Sequence, residues 1–309
     1  SVNCYCEIKY ISHKIVHRAE NKKGVPLSAT SPQCILQQVV VGFTTLHVEW
    51  VILRGLHFES TVLYASLVTD DTLCAKFFAS IGPSLQRLHL AAEYGPSGDD
   101  FCDFSPLWPY IVDLIVKNCR QLKEFRVSSD LDKIVQNEAG LSKLLTSCTQ
   151  LTSLKLENSK NLTEHTLQAI VNAPSLRTVD LSGSYLHLNV DQQDVKSHSV
   201  TELKLNQTRI TTNNMHTLYG MFPKLRRTQC TNLESVDLVC ITALCPLLTH
   251  LNVSVVETTD EETVLMIADN VKHIESVTIY YPPGRVCSES ALLAFITHCP
   301  TLTKLDVFS

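Results

Sequence analysis

Twelve cysteines and twelve histidines are the residues of this chain best equipped for chemistry. Thiolates and neutral imidazoles are the usual ligands of zinc, and cysteines can also pair as disulfides. Their spacing favours neither. Cys119, Cys148, Cys245 and Cys299 each stand three residues ahead of a leucine, at Leu122, Leu151, Leu248 and Leu302. The same slot elsewhere holds Gly82, Ala173, Phe222 or Val271, so it demands something buried rather than a thiol. A free cysteine in such a place behaves as a small hydrophobe. Cys4-Tyr5-Cys6 is one residue too tight for a zinc CxxC pair. Mostly unpaired cysteines point to a reducing intracellular compartment, cytoplasmic or nuclear.

The histidines are scattered. His57, His89 and His250 fall on strand positions that share a face, but no spacing brings a carboxylate to them. Surface histidines are the plainer reading than a metal or acid–base site. No phosphate loop, dinucleotide fingerprint, nucleophile elbow, HExxH or calcium loop occurs, and Gly95-Pro-Ser-Gly98 reads as a loop. No catalytic residue, cofactor site or metal site is therefore assigned, and an unrecognised enzyme is the last of the alternatives. Asn161-Leu-Thr163, Asn206-Gln-Thr208 and Asn252-Val-Ser254 match glycosylation sequons, which in a reducing compartment are chance.

A repeat positions these residues. Cys148-Thr-Gln-Leu151-Thr-Ser-Leu154-Lys-Leu156-Glu-Asn158 reads C-x-x-L-x-x-L-x-L-x-N, and a helix-like run with Leu167, Ile170 and Val171 follows. The first leucine-type position recurs at Leu53, Leu85, Leu122, Leu151, Leu176, Val200, Leu225, Leu248, Ile274 and Leu302. The mean step is about 28 residues, within the range of leucine-rich repeats. Each unit buries three strand residues and one helix face only when stacked on its neighbours. The predicted fold is an α/β leucine-rich repeat solenoid, a horseshoe with a parallel sheet on the concave side and helices on the convex side.

The domain reading is a capping region over 1–52 and about ten repeats over 53–309. Phe43-Thr-Thr-Leu46-His-Val48 and Leu53-Arg-Gly-Leu56-His-Phe58 both match the strand pattern. Leu53 is preferred, because a helix with an aspartate cap is expected over 70–81. Thr228 and Cys230 depart from the strand pattern, and a locally weaker repeat is expected there. The segment His187–His198 has weak helical period. The chain opens at Ser1 rather than Met and ends directly after a strand, so a longer natural protein is expected, with docking of the open end as the alternative.

The net charge is −5 and no block of five like charges appears, which argues against a nucleic-acid tail. No apolar run reaches the roughly 18 residues of a membrane span.

Cys148 to Ile170, Cys245-Pro-Leu-Leu-Thr-His-Leu-Asn-Val253 and Cys299-Pro-Thr-Leu-Thr-Lys-Leu-Asp-Val307 resemble cysteine-containing leucine-rich repeats. Such repeats are similar to those of F-box leucine-rich repeat proteins, the substrate receptors of cullin-type ubiquitin ligases. The resemblance covers about residues 53–309. The L-P-x-E opening and spaced tryptophan of an F-box are missing from 1–52, so the resemblance places any F-box upstream of Ser1.

A protein partner is expected on the strand face that points away from the core. Its central row reads His57, His89, Arg126, Lys155, Asp180, Lys204, Gln229, Asn252, Thr278 and Asp306. The row two residues earlier includes Arg87, Glu124, Glu202, Arg227, His250 and Lys304. From Arg87 to Lys155 the wall leans basic, and its far end is aromatic at Tyr280 and Phe308. A Gly- and Pro-containing insertion over 91–109 adds Tyr94, Phe101, Phe104 and Trp108. The predicted contact residues are Arg87, His89, Arg126, Lys155, Lys204, Arg227, Tyr280, Tyr94, Phe101, Phe104 and Trp108. The functional reading is a non-enzymatic protein-interaction scaffold, in its narrow form the substrate receptor of a ubiquitin ligase. A structural subunit of a large assembly is the alternative, and nucleic acid would need a denser basic stripe.

Overall fold

A computed structural model describes residues 42–43, 60–64, 71–91, 108–128, 138–159, 162–186, 188, 195–257, 259–285 and 287–309. Eleven parallel strands form one open sheet in strict sequence order. They are β1 Gly42–Phe43, β2 Ser60–Tyr64, β3 Arg87–Ala91, β4 Glu124–Ser128, β5 Ser153–Glu157, β6 Thr178–Asp180, β7 Glu202–Leu205, β8 Arg227–Leu233, β9 His250–Val255, β10 Ser276–Tyr280 and β11 Lys304–Phe308. Eight α-helices are described between them: α1 Asp71–Ile81, α2 Trp108–Asn118, α3 Glu138–Ser147, α4 Glu164–Asn172, α5 Thr212–Gly220, α6 Ser235–Leu244, α7 Glu261–Asn270 and α8 Glu289–His298. The arrangement is a leucine-rich repeat solenoid.

One turn shows why these residues fold this way. In β5, Leu154 and Leu156 are buried while Ser153, Lys155 and Glu157 stay partly exposed. Helix α4 buries Leu167, Ile170 and Val171, which the 3.6-residue period places on one face. Between helix and strand, the Cys148 N–H bonds the Leu144 carbonyl at 2.8 Å and the Leu151 N–H bonds the Cys148 carbonyl at 2.9 Å. The same short turn recurs at Cys119, Cys245 and Cys299. From β4 onward each strand is entered by two N–H groups on the carbonyl just ahead of the strand before, as Thr152 and Ser153 do on Lys123.

The slot before the first leucine is architectural, as its variability implies. Cys119, Cys148, Cys245 and Cys299 are at most 3% exposed, and all eight described cysteines are free and buried. Gly82 holds the slot at the first described turn, where a Cβ would stand 2.7 Å from the Asn118 Cβ. In the repeat ahead of β7, Ser197 takes it and its hydroxyl accepts from the Val200 N–H at 3.3 Å. No helix is described between β6 and β7, where weak helical period was noted.

The strand expected at Leu53 changes: β2 is Ser60–Tyr64, and Val62, not His57, is in register with His89. Ser-Thr-Val-Leu-Tyr is a β-branched and aromatic run that suits a strand. His57 lies outside the described residues. Within 1–52, β1 joins the same sheet, pairing Gly42 with Val62. The remainder of that stretch lies outside the described residues. β8 carries the two departures from the strand pattern. Thr228 is buried, but its hydroxyl meets the Tyr219 hydroxyl at 2.8 Å, and Tyr219 is itself fully buried. The polar substitution is satisfied rather than orphaned. β8 is also the longest strand described, with a register shift between Cys230 and Leu233 beside Asn232 at φ 62°.

Candidate functional site: the open face of the sheet

The strand positions expected from β3 onward lie in adjoining rows of one sheet. Parallel pairing sets His89, Arg126, Lys155, Asp180, Lys204, Gln229, Asn252, Thr278 and Asp306 in one row. Arg87, Glu124, Ser153, Thr178, Glu202, Arg227, His250, Ser276 and Lys304 form the row beside it. Of the insertion, Tyr94, Phe101 and Phe104 lie outside the described residues. Trp108 opens α2, which places its backbone on the helical side.

The basic lean from Arg87 to Lys155 is corrected by pairing. Arg126 Nη2 meets Glu157 Oε2 at 2.6 Å, and Lys155 Nζ meets Glu124 Oε1 at 2.5 Å. Both contacts run along the same diagonal, from a β4 residue to the β5 residue two beyond its register partner, with the cation on β4 in one and on β5 in the other. The sequence pattern held the signal: Glu157 follows Lys155 by two residues, so it shares the face in the next row. Lys204 pairs with Glu202 at 3.3 Å and Lys304 with Asp306 at 2.7 Å. Asp180 Oδ1 accepts from the Ser182 hydroxyl at 2.6 Å and its N–H at 3.1 Å. Arg87 and Arg227 are exposed, and neither makes a side-chain hydrogen bond or ion pair among the described residues.

His89 sits half-buried beside the β4–β5 pairs. Burial, then the charges of Arg126 and Lys155, pull its imidazole down to about 4, with Glu124 opposing. It is a neutral hydrogen-bonding group at pH 7. At the far end of the face, Tyr280 and Phe308 stack with ring centroids 4.9 Å apart and an interplanar angle of 14°. They are 43% and 48% exposed, so the pair is an accessible apolar platform.

The strand exits carry a feature that the leucine pattern does not announce. Three residues beyond Leu156 and Leu181, where many such repeats place asparagine, stand Ser159 and Ser184, with Thr208 beyond Leu205. All three are buried. Ser184 Oγ donates to the Leu156 carbonyl at 3.0 Å and accepts from the Ser159 N–H at 3.1 Å. Thr208 Oγ1 donates to the Leu181 carbonyl at 3.1 Å. Hydroxyls thus do the carbonyl-bridging work of the missing amides, while Asn158 instead turns the chain at φ 60°.

Among the described residues, no group of three or more His, Cys, Asp or Glu side chains is placed to hold a metal ion. No helix among them is long and apolar enough to cross a membrane.

No family model matches the chain, and no curated protein matches it. Among solved structures, it is similar to the leucine-rich repeat-containing protein LegL7 of Legionella pneumophila, at 13% identity over 81% of this chain and 83% of that one, with a TM-score of 0.48. An internalin, InlF of Listeria monocytogenes, is similar at 11% identity over 96% of this chain and 94% of its own, with a TM-score of 0.42. The yeast Rad7–Elc1 complex gives 12% identity over 98% and 97%, with a TM-score of 0.31. The site stands on this chain's own residues.

Proposed function

We propose that the protein is a non-enzymatic protein–protein interaction scaffold that holds a partner across the open face of its sheet. The observation that carries this reading is the unbroken double row of polar side chains from β3 to β11, with unpaired arginines and an exposed aromatic pair on it. Arginine and aromatic side chains are the favoured anchors of protein interfaces. The narrower reading is the substrate-receptor part of a ubiquitin ligase in a reducing compartment. It rests on the resemblance of the Cys148, Cys245 and Cys299 repeats to those of F-box leucine-rich repeat proteins.

The test is affinity purification from cell extract with amine cross-linking. Partner cross-links at Lys155 and Lys204 are expected, and recovery of an F-box adaptor with a cullin supports the ligase role. Cross-links confined to the helical side would sink the scaffold reading. That outcome would favour the alternative, a structural subunit of a larger assembly. The alternative has its own support: Leu293 and Ile296 on α8 are 60% and 66% exposed.

A further inference from the structure

The two halves of the face differ in what they leave available. From β4 to β7 the charges are spent on one another, Arg126 on Glu157, Lys155 on Glu124 and Lys204 on Glu202. On the two rows of the face from β8 onward, Arg227 presents a charge without a partner among the described residues, while Lys304 and Asp306 form a pair. Glu202 lies beside Arg227 in register but is engaged by Lys204.

Three residues of this second half lie on a diagonal. Arg227 is in β8. Asn252, in β9, is one strand over and two residues further along. Tyr280, in β10, is one strand and two residues further again. Each step combines one strand spacing with two residue rises, about 8 Å, so Arg227 and Tyr280 stand about 16 Å apart. Phe308 stacks on the β11 side of Tyr280. On the β9 side stands Ser254, whose small side chain is occupied by the Asn232 N–H at 3.0 Å. Tyr280 keeps 43% of its surface exposed, which leaves ring area for a second ring. Asn252, between the two ends, can both donate to and accept from a peptide backbone.

We infer that the β8–β11 half of the face binds an extended segment of a partner protein that carries an acidic residue about five positions from a proline or aromatic ring. The carboxylate pairs with Arg227, the backbone crosses Asn252, and the ring stacks on Tyr280. An extended chain rises about 3.3 Å per residue, so about five residues span the distance. Charge selects the acidic end, because Arg227 is the uncompensated group of this half. The aromatic pair selects the other end, since stacking with a ring is how exposed tyrosine and phenylalanine bury area at low entropic cost. This inference rests on the scaffold reading and assigns the class of segment that the scaffold takes.

The test is selection of random 12-residue peptides displayed on phage against the purified 309-residue protein, followed by fluorescence anisotropy of the enriched peptides. Enriched peptides are expected to carry Asp or Glu four to six positions from Pro, Tyr, Phe or Trp. Arg227→Gln should weaken them about tenfold, the loss of one charge-assisted contact. Arg227→Glu should redirect selection to Lys or Arg at the acidic position, and Tyr280→Ser should remove the ring preference while leaving the acidic one. Arg227 is exposed and unpaired, so Arg227→Gln should leave the melting temperature unchanged, while Tyr280→Ser, which gives up the Phe308 stack, should lower it by only a few degrees. No enrichment, enrichment without the paired features, or affinities unmoved by both variants overturns the inference. Cellular partners still cross-linked at Lys155 and Lys204, with capture indifferent to Arg227→Gln and Tyr280→Ser, would overturn it while leaving the scaffold reading intact.

Discussion

Arg126 on β4 reaches forward to Glu157 on β5, while Lys155, its neighbour in register, reaches back to Glu124. The two contacts lock adjacent strands across the open face. A charge reversal at Arg126 and Lys155 would set four carboxylates together, so it tests stability as well as binding. We expect Arg126→Glu with Lys155→Glu to lower the melting temperature, and Glu124→Lys with Lys155→Glu to restore much of the loss. The pairs are partly exposed, so each coupling should be about 0.5–1 kcal/mol in a double-mutant cycle and should shrink in high salt. Urea denaturation of the four variants of each cycle measures it; a coupling of zero would show that the pairs are ornamental.

Ser184 is expected to matter more than its size implies. Ser184→Ala leaves the buried Ser159 N–H without its acceptor and removes a donor from the Leu156 carbonyl. The cost should be about 1–3 kcal/mol by urea denaturation. Next to it, Gly183 has φ 74°, and a Cβ there would stand 2.1 Å from Asn158 Oδ1. Gly183→Ala should therefore destabilise as well, and Asn158→Gly in the same chain should relieve the steric part.

His89 gives the protein an acid-sensitive element. Its folded imidazole titrates near 4, below the ordinary 6.5, because burial and the cations of Arg126 and Lys155 oppose protonation. With the folded value depressed, its stabilising contribution is complete above pH 6.5 and is lost as pH falls towards 4. Between pH 7 and 5, His89→Asn should lose less melting temperature than the parent protein. Parallel curves would mean that His89 is solvated like a free imidazole. The window stops at pH 5, above the ordinary carboxylate range.

The cysteines should be inert in the folded state. Burial pushes Cys148 up to about 11 and Cys245 up to about 12, and reactivity requires the thiolate. Iodoacetamide at pH 7.5, read by peptide mass spectrometry, should label Cys119, Cys148, Cys245 and Cys299 only after unfolding in urea. Rapid labelling of Cys148 in the native protein would contradict its packing role.

The leucine spacing by itself determined the repeat, the strand-then-helix order and, from β3 onward, which residues share the open face. It could do so because each unit must bury the same few positions, and that demand is local and periodic. It also determined that the cysteines before Leu122, Leu151, Leu248 and Leu302 are packing. Only the tertiary structure decided what neighbours across strands do to one another. Pairing moved the strand before β3 to Ser60–Tyr64, because two other segments carry equal leucine patterns and register breaks the tie. Side chains meeting from residues 31 apart turned a basic wall into interlocked ion pairs. Stacking between β10 and β11 made Tyr280 and Phe308 one platform, and the absence of a partner left Arg227 as the charge a ligand can claim. Such contacts depend on the offset between turns of unequal length, which no single repeat encodes.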